Sequence, residues 1–328
     1  MNHLTFSHRS AAVGAIAWLA LLALPLPTAN MMGLVHRLLL VAPLMIVPLA
    51  LTQLTPRDDA AAPLRHLHRA AVWLQPALAA CAVASLYLPG TGVTQAAAAL
   101  PWLLETGLLA LLGLARLHDR WRRGGGSALE RLGPVEELAL DAGLLYVPVG
   151  GAWWVASRYG GPVMGFDPVI VLLTAAHFHY AGLAAPFITG LVGRAIPDGR
   201  PAARRLYAVA ATAASAGPPL IALGITLSPL LEVVCAVILA SGLLLLSGLM
   251  VFVVRPRMPS RLGAALCTIA AASLLLTMAL ACTYALAEFQ HTVWVGIPDM
   301  AAVHGSANVF GFSLCGMLAM VLMGPPPR

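Results

Sequence analysis

Ten long apolar stretches follow one another along the chain, separated by short polar connections. A bilayer core of about 30 Å requires about 20 apolar residues in a helix, and each stretch is close to that length or longer. The pattern predicts an all-α, polytopic transmembrane bundle of about ten spans. The predicted spans are 11–28, 31–54, 69–88, 93–116, 136–157, 167–193, 205–227, 230–253, 262–287 and 299–323.

Composition excludes the other broad classes of protein. Sixty per cent of the residues are hydrophobic, 10% are charged, and the mean hydropathy is +0.86, whereas soluble domains carry about 25% charged residues. Because the connections hold no folded domain, we expect residues 1–328 to form a single integral membrane domain. The first apolar run resembles a signal peptide, but we interpret it as an uncleaved span.

The arginines predict the orientation of the bundle. All nineteen basic residues are arginine, and seventeen of them lie near a terminus or in every second loop; the exceptions are Arg37 and Arg158. Since arginine-rich loops stay in the cytoplasm, both termini are predicted to be cytoplasmic, in a bacterial inner membrane. This use of arginine argues against a nucleic-acid partner. The glycine-rich loop at 124–127 lacks a Walker lysine, so no nucleotide is expected.

The sixth predicted span carries His177, His179 and Tyr180 within an apolar run. His177 lies about 15 Å along the helix, near the midplane, where an ionisable group costs at least about 2.5–3.5 kcal/mol. It shares a helix face with Tyr180, whereas His179 points the other way, so the two histidines cannot hold one metal ion without a local break. We favour a functional role for this group, with Asp167 at the entrance of the span as a further candidate for substrate binding.

The last predicted span opens with Asp299 and then carries His304 and Asn308. These two are four residues apart and therefore share one helix face. Two interpretations stay open for His304 and Asn308: a functional pair, or a polar clasp between two helices.

Several other polar residues fall in the predicted outer half of the membrane. Glu105 lies about a dozen residues inside the fourth span, and Glu288 closes the ninth, although Glu288 also suits an interfacial position. Arg37 is expected to pair with a carboxylate, because an unpaired arginine in a membrane is costly. These positions predict a polar cavity open toward the outer face. Four tryptophans fit an outer aromatic belt: Trp102, Trp153, Trp154 and Trp294.

The stretch Ala176-His177-Phe178-His179-Tyr180-Ala181-Gly182, together with the segment from His304 to Phe312, resembles the YndJ-like family of bacterial membrane proteins. The resemblance rests mainly on residues 167–190 and 299–315. It implies a multi-span inner-membrane protein, but it assigns no chemistry to the residues that carry it. The family positions it marks are His177, His179, Tyr180, His304 and Asn308.

Three functions remain open. The first is an intramembrane acid/base enzyme (an isomerase, cyclase or hydrolase) on a lipophilic small molecule. In it His177 is the general acid/base, Tyr180 its partner, and His304 and Asn308 orient the substrate. The other substrate-binding candidates are His179, Glu105, Asp167, Asp299 and Glu288.

The second function is a proton-coupled small-molecule transporter of five plus five inverted spans, with prolines in spans two and seven. The third is a metal- or haem-binding protein that uses His177, His179 and His304. No metal site or cofactor is favoured, because neither the five cysteines nor any carboxylate has the spacing of a ligand pair. The lipid bilayer is the expected partner, and the oligomeric state stays open.

Overall fold

The computed structural model describes residues 3–28, 30–57 and 59–324, without the side chain of Leu129. Within these ranges the regular structure is helical, apart from one isolated bridge between Val163 and Phe166. The predicted all-α polytopic bundle is confirmed. The orientation stays a prediction, and Arg328, which was counted toward it, lies outside the described residues.

The helices agree closely with the predicted spans. The helices are α1 (His3–Leu22), α2 (Asn30–Thr52), α3 (Ala62–Tyr87), α4 (Val93–Arg123), α5 (Ala128–Leu132), α6 (Val135–Tyr159), α7 (Pro168–Ala195), α8 (Pro201–Leu227), α9 (Pro229–Arg257), α10 (Arg261–Phe289) and α11 (Ile297–Met323). Nine of these helices, all except α1 and α5, are long and apolar enough to cross a membrane within the described ranges.

Helix α1 differs most from its prediction, because it begins at His3 and ends at Leu22 rather than covering 11–28. Pro25 and Pro27 follow its end, and a proline pushes the preceding residue out of the helical conformation. The helix packs antiparallel to α2, where the indole of Trp18 donates a hydrogen bond to the Arg37 carbonyl (2.8 Å). Twenty residues extend about 30 Å, which supports the prediction of a tenth span.

Several spans contain π-helical turns, which are rare and frequently lie at functional sites. Pro43 lies inside one of them, and Pro186 lies two residues beyond the end of another. Proline lacks an N–H group and interrupts the regular hydrogen-bond ladder, which accounts for π-turns at these positions. The π-helical segments are Ala42–Ile46 in α2, Phe178–Ala184 in α7, Met250–Val254 in α9, and Met300–Gly305 and Ala307–Leu314 in α11.

The chain divides into two compact units. The first consists of Met1–Gly133 and Asp141–Leu183, and the second of Pro134–Leu140 and Ala184–Arg328. One boundary precedes α6, and the other two fall inside α6 and α7. A single membrane domain over the whole chain stays a prediction, and each unit is described by itself.

Candidate functional site

The centre of the first unit contains a buried tryptophan–histidine cluster, which we define as Trp102, Trp154, His179 and Ser85. The indole of Trp102 donates to Nε2 of His179 (2.9 Å), and Nδ1 of His179 bonds the Ala175 carbonyl (2.8 Å). Since Nε2 accepts, Nδ1 carries the proton and donates to the carbonyl. The ring is fully buried and uses both nitrogens, so it has no nitrogen left for a ligand in this arrangement.

Two adjacent glycines of α6 allow this cluster to form. A Cβ atom at Gly150 would lie 2.7 Å from Nδ1 of His179, and one at Gly151 would overlap the hydroxyl of Thr106 on α4. Small residues let membrane helices approach closely. The glycine pair therefore lets α6 pack directly against both α4 and α7.

The belt interpretation is wrong for two of the four tryptophans. Trp102 and Trp154 are fully buried, while Trp294 is 52% exposed. The indole of Trp154 donates to the hydroxyl of Ser85 on α3 (3.2 Å). Tryptophan bears one N–H donor and is stable inside a membrane protein when that donor has an internal partner. The sequence held no spacing signal for Ser85 or for Gly150.

Glu105 lies on the same face of α4 as Trp102, one turn further along the helix. Its side chain is fully buried, and neither carboxyl oxygen has a hydrogen-bond partner in the described part of the chain. It is about 18 Å along the helix from Val93. The structure thus places a carboxyl group without a partner deep inside a helix that is long and apolar enough to span a bilayer.

His177 and Tyr180 direct their hydrogen bonds to different partners. Nδ1 of His177 bonds the Leu173 carbonyl of its own helix (2.7 Å), and the side chain is exposed on the surface of the chain. Tyr180 is buried, and its hydroxyl donates to the Leu38 carbonyl of α2. A π-helical segment begins at Phe178, between the two histidines, but His179 already uses both ring nitrogens in the tryptophan–histidine cluster.

His304 and Asn308 belong to the second unit, where they contact each other. The side-chain amide of Asn308 donates to Nε2 of His304 (2.9 Å), and Nδ1 of His304 bonds the Thr277 carbonyl of α10 (3.0 Å). This geometry is that of the interhelical clasp, because it ties α11 to α10.

The three other acidic candidates lie at helix ends. Asp167 immediately precedes α7, Asp299 lies in the first turn of α11, and Glu288 is near the end of α10. All three side chains are exposed. Their positions are those of interfacial acids, and a part in substrate binding stays a prediction for each.

The structure places the two exceptional arginines in the first unit. Arg158 donates three hydrogen bonds to the carbonyls of Ser85, Leu88 and Gly90 (2.9, 3.0 and 2.7 Å). Arg37 forms no ion pair with any carboxylate among the described residues. The prediction that Arg37 pairs with a carboxylate is therefore wrong for the described residues.

Over residues 3–28, 30–57 and 59–324, no group of three or more histidine, cysteine, aspartate or glutamate side chains is arranged to hold a metal ion.

A bundle of apolar helices with polar groups buried between them defines a polytopic helical membrane protein. The family model described as YndJ-like protein matches residues 37–312, and the chain belongs to that family. An uncharacterized membrane protein, YndJ, of Bacillus subtilis (strain 168) is 32% identical over 252 residues, which cover 76% of this chain and 43% of the relative. The chain thus spans less than half of the relative's length. No solved structure matches the chain.

Proposed function

We propose that this membrane protein is a proton-coupled transporter of a small molecule and that Glu105 is the group that binds the proton. The observation that carries the proposal is the full burial of Glu105 with both carboxyl oxygens unpartnered. Ionisable groups at such positions are rare in membrane helices and mark ion or proton pathways.

The cost of burial explains why this carboxyl group suggests transport. A carboxylate without a partner is very unfavourable in an apolar medium, so Glu105 needs a proton or a cation whenever its surroundings are closed. Proton-coupled carriers depend on a group whose proton is gained from one side and lost to the other when the helices rearrange.

The helices around Glu105 have the features that such a rearrangement requires. Gly150 and Gly151 allow close contacts between α6 and its neighbours, and α7 carries a π-helical segment that includes His179 of the tryptophan–histidine cluster. A π-turn is a local irregularity of the hydrogen-bond ladder. Shear between α4, α6 and α7 would expose Glu105 to water in a second conformation.

The proposal is tested first on the protonation of Glu105 itself. Infrared spectra of the purified full chain in lipid vesicles are expected to show the C=O band of a protonated carboxyl group, and this band is expected to disappear in Glu105→Gln. The matched control is Asp198→Asn, whose carboxylate is 99% exposed. A spectrum unchanged by Glu105→Gln contradicts the proposal.

The transport step is tested in cells by mass spectrometry of metabolites and lipids, comparing the unaltered chain with Glu105→Gln, Glu105→Asp and the Asp198→Asn control. For a transporter, one compound should change its distribution between cells and medium in Glu105→Gln. Glu105→Asp keeps the titratable group and should retain part of the activity.

A second candidate function, an acid/base enzyme on a lipophilic molecule, is favoured by one observation at His177. Its ring is exposed, and Nε2 has no hydrogen-bond partner among the described residues. With Nδ1–H bonded to the Leu173 carbonyl, Nε2 is available as a base toward a molecule in the membrane. In the same mass-spectrometric comparison, an enzyme requires a compound of altered mass or a new isomer in His177→Ala cells.

A further inference from the structure

A cavity of about 420 Å³ lies at the N-terminal end of α2, in the first unit, and Arg37 is its cationic lining residue. We propose that this cavity binds the anionic group of an amphiphile, a phosphate or a carboxylate, through Arg37. The lining residues are Pro25, Leu26, Thr28, Asn30, Gly33, Leu34 and Arg37.

The guanidinium group of Arg37 lacks an anionic partner among the described residues, which is the first reason to expect a bound anion. The group has no ion pair within the described residues, although it lies about two turns inside a helix long and apolar enough to span a membrane. Arg158, the other arginine of this unit outside the arginine-rich loops, is satisfied by three carbonyl oxygens. Because an unpaired arginine in a membrane is costly, the guanidinium group needs an anion that the described residues do not supply.

The local structure holds Arg37 at the cavity. The hydrogen bond from Trp18 to the Arg37 carbonyl fixes the backbone (2.8 Å). Thr28, another lining residue, is held through its hydroxyl by Nδ1 of the buried His36 (2.9 Å). The polar groups that an anion would meet are therefore positioned before it binds, which lowers the entropic cost of binding.

The chemistry of the lining indicates an amphiphile rather than an inorganic anion in an aqueous site. Arg37 and Asn30 supply donors, and a guanidinium group binds phosphate or carboxylate through two parallel hydrogen bonds. Leu26 and Leu34 supply apolar surface in the same cavity. The start of α2 adds the positive end of a helix dipole. A lipid phosphate and a free phosphate share the anion, and the experiment separates these sources.

The test uses the purified full chain in a neutral detergent and measures its thermal stability, because a ligand that binds the folded state raises the melting temperature. One titration uses short-chain phosphatidylglycerol, a second uses inorganic phosphate, and zwitterionic phosphatidylcholine is the reference. We expect Arg37→Gln to weaken binding of the anionic probe by about tenfold, the loss of one charge-assisted contact. The control is Arg57→Gln, which removes an exposed loop arginine.

Each outcome decides a separate point. Binding of phosphatidylglycerol that depends on Arg37 supports the proposal. Binding of inorganic phosphate without binding of phosphatidylglycerol identifies a site for a free anion and overturns the assignment to an amphiphile. Equal binding by Arg37→Gln and the unaltered chain overturns it. If Arg37→Gln does not fold, Leu34→Trp decides, because it fills the cavity and keeps Arg37. Unchanged binding in Leu34→Trp then overturns the proposal.

Discussion

Two buried carboxyl groups of the first unit have opposite surroundings. Asp141, on α6, is 2% exposed and pairs with Arg116 (2.7 Å) and with Arg120 near the arginine-rich end of α4. Glu105 lies in α4 further from that end, and its carboxyl group has no partner among the described residues. Both groups pay the cost of leaving water, but only Asp141 recovers it through fixed charges. The contrast assigns a structural part to the ion pairs of Asp141, and it agrees with the proton-binding role proposed for Glu105.

The first prediction concerns the side of the membrane that the arginine-rich end faces. In a variant without the five native cysteines, a cysteine at Ser127 should stay protected from a membrane-impermeant maleimide in intact cells. A cysteine at Gly161, in the loop between α6 and α7, should react completely. The reason is the positive-inside rule applied to the loops that hold the arginines.

Permeabilised cells are the control for this labelling, because both cysteines should react there. The reverse pattern in intact cells would place the arginine-rich loops and the two termini outside, and it would contradict the predicted orientation.

The second prediction removes the paired carboxylate. Asp141→Asn leaves the guanidinium groups of Arg116 and Arg120 buried without their anion, and their side chains are only 11% and 17% exposed. Breaking a buried ion pair on one side costs about 3–5 kcal/mol. Thermal unfolding of the purified chain in detergent should show a large decrease in melting temperature.

The matched control is Asp198→Asn, because the partner carboxylate there is 99% exposed and exposed ion pairs contribute little. Equal melting temperatures for Asp141→Asn and this control would show that the arginine-rich end does not depend on the pair.

The sequence predicted the helices well because membrane spans follow from length and apolarity alone. It predicted the end of α1 less well, because Pro25 and Pro27 stop the helix before the apolar run is finished. It identified Glu105 as a candidate, since a carboxyl group in an apolar run is visible by inspection.

Which hydrogen bonds form between helices does not follow from sequence periodicity. Tryptophans near the ends of apolar runs suit a belt, yet Trp102 and Trp154 turn inward because His179 and Ser85 satisfy their indoles. The pairing of His304 with Asn308 could be predicted, because both lie on one helix, whereas the bond between His304 and the Thr277 carbonyl depends on the packing of a second helix.

The third prediction tests the close packing of α6 against His179 of α7 at Gly150. In Gly150→Ala the new Cβ would lie 2.7 Å from Nδ1 of His179, so α6 or α7 must shift. Overpacking of this kind costs about 1–3 kcal/mol. The melting temperature of the purified chain should fall, and the fluorescence of the buried tryptophans should change with it.

Gly107→Ala is the control for this substitution, because a Cβ atom at Gly107 would meet no atom within 4 Å apart from its chain neighbours and the backbone of its own helix. Alanine in a helix interior is favoured over glycine by about 1 kcal/mol, so the control should be neutral or slightly stabilising. A loss of stability as large in Gly107→Ala would remove the argument for close packing at His179.

The fourth prediction removes the carboxyl group without a partner. Glu105→Leu replaces a buried polar group by an apolar side chain of similar length, and an unsatisfied buried group costs about 1–3 kcal/mol. The variant should therefore melt at a higher temperature than the unaltered chain, in contrast to Asp141→Asn. The same variant should lose transport, because natural proteins keep destabilising groups where function needs them.

The combination of these two results is what separates a functional group from a structural one. If Glu105 had a stabilising partner in the folded chain, Glu105→Leu would lower the melting temperature as Asp141→Asn does, and the contrast between the two carboxyl groups would disappear. If it melts higher and transport persists, the buried group is dispensable and the proton-binding role of Glu105 is wrong. Only a stabilised chain without transport fits a carboxyl group that is retained for its proton.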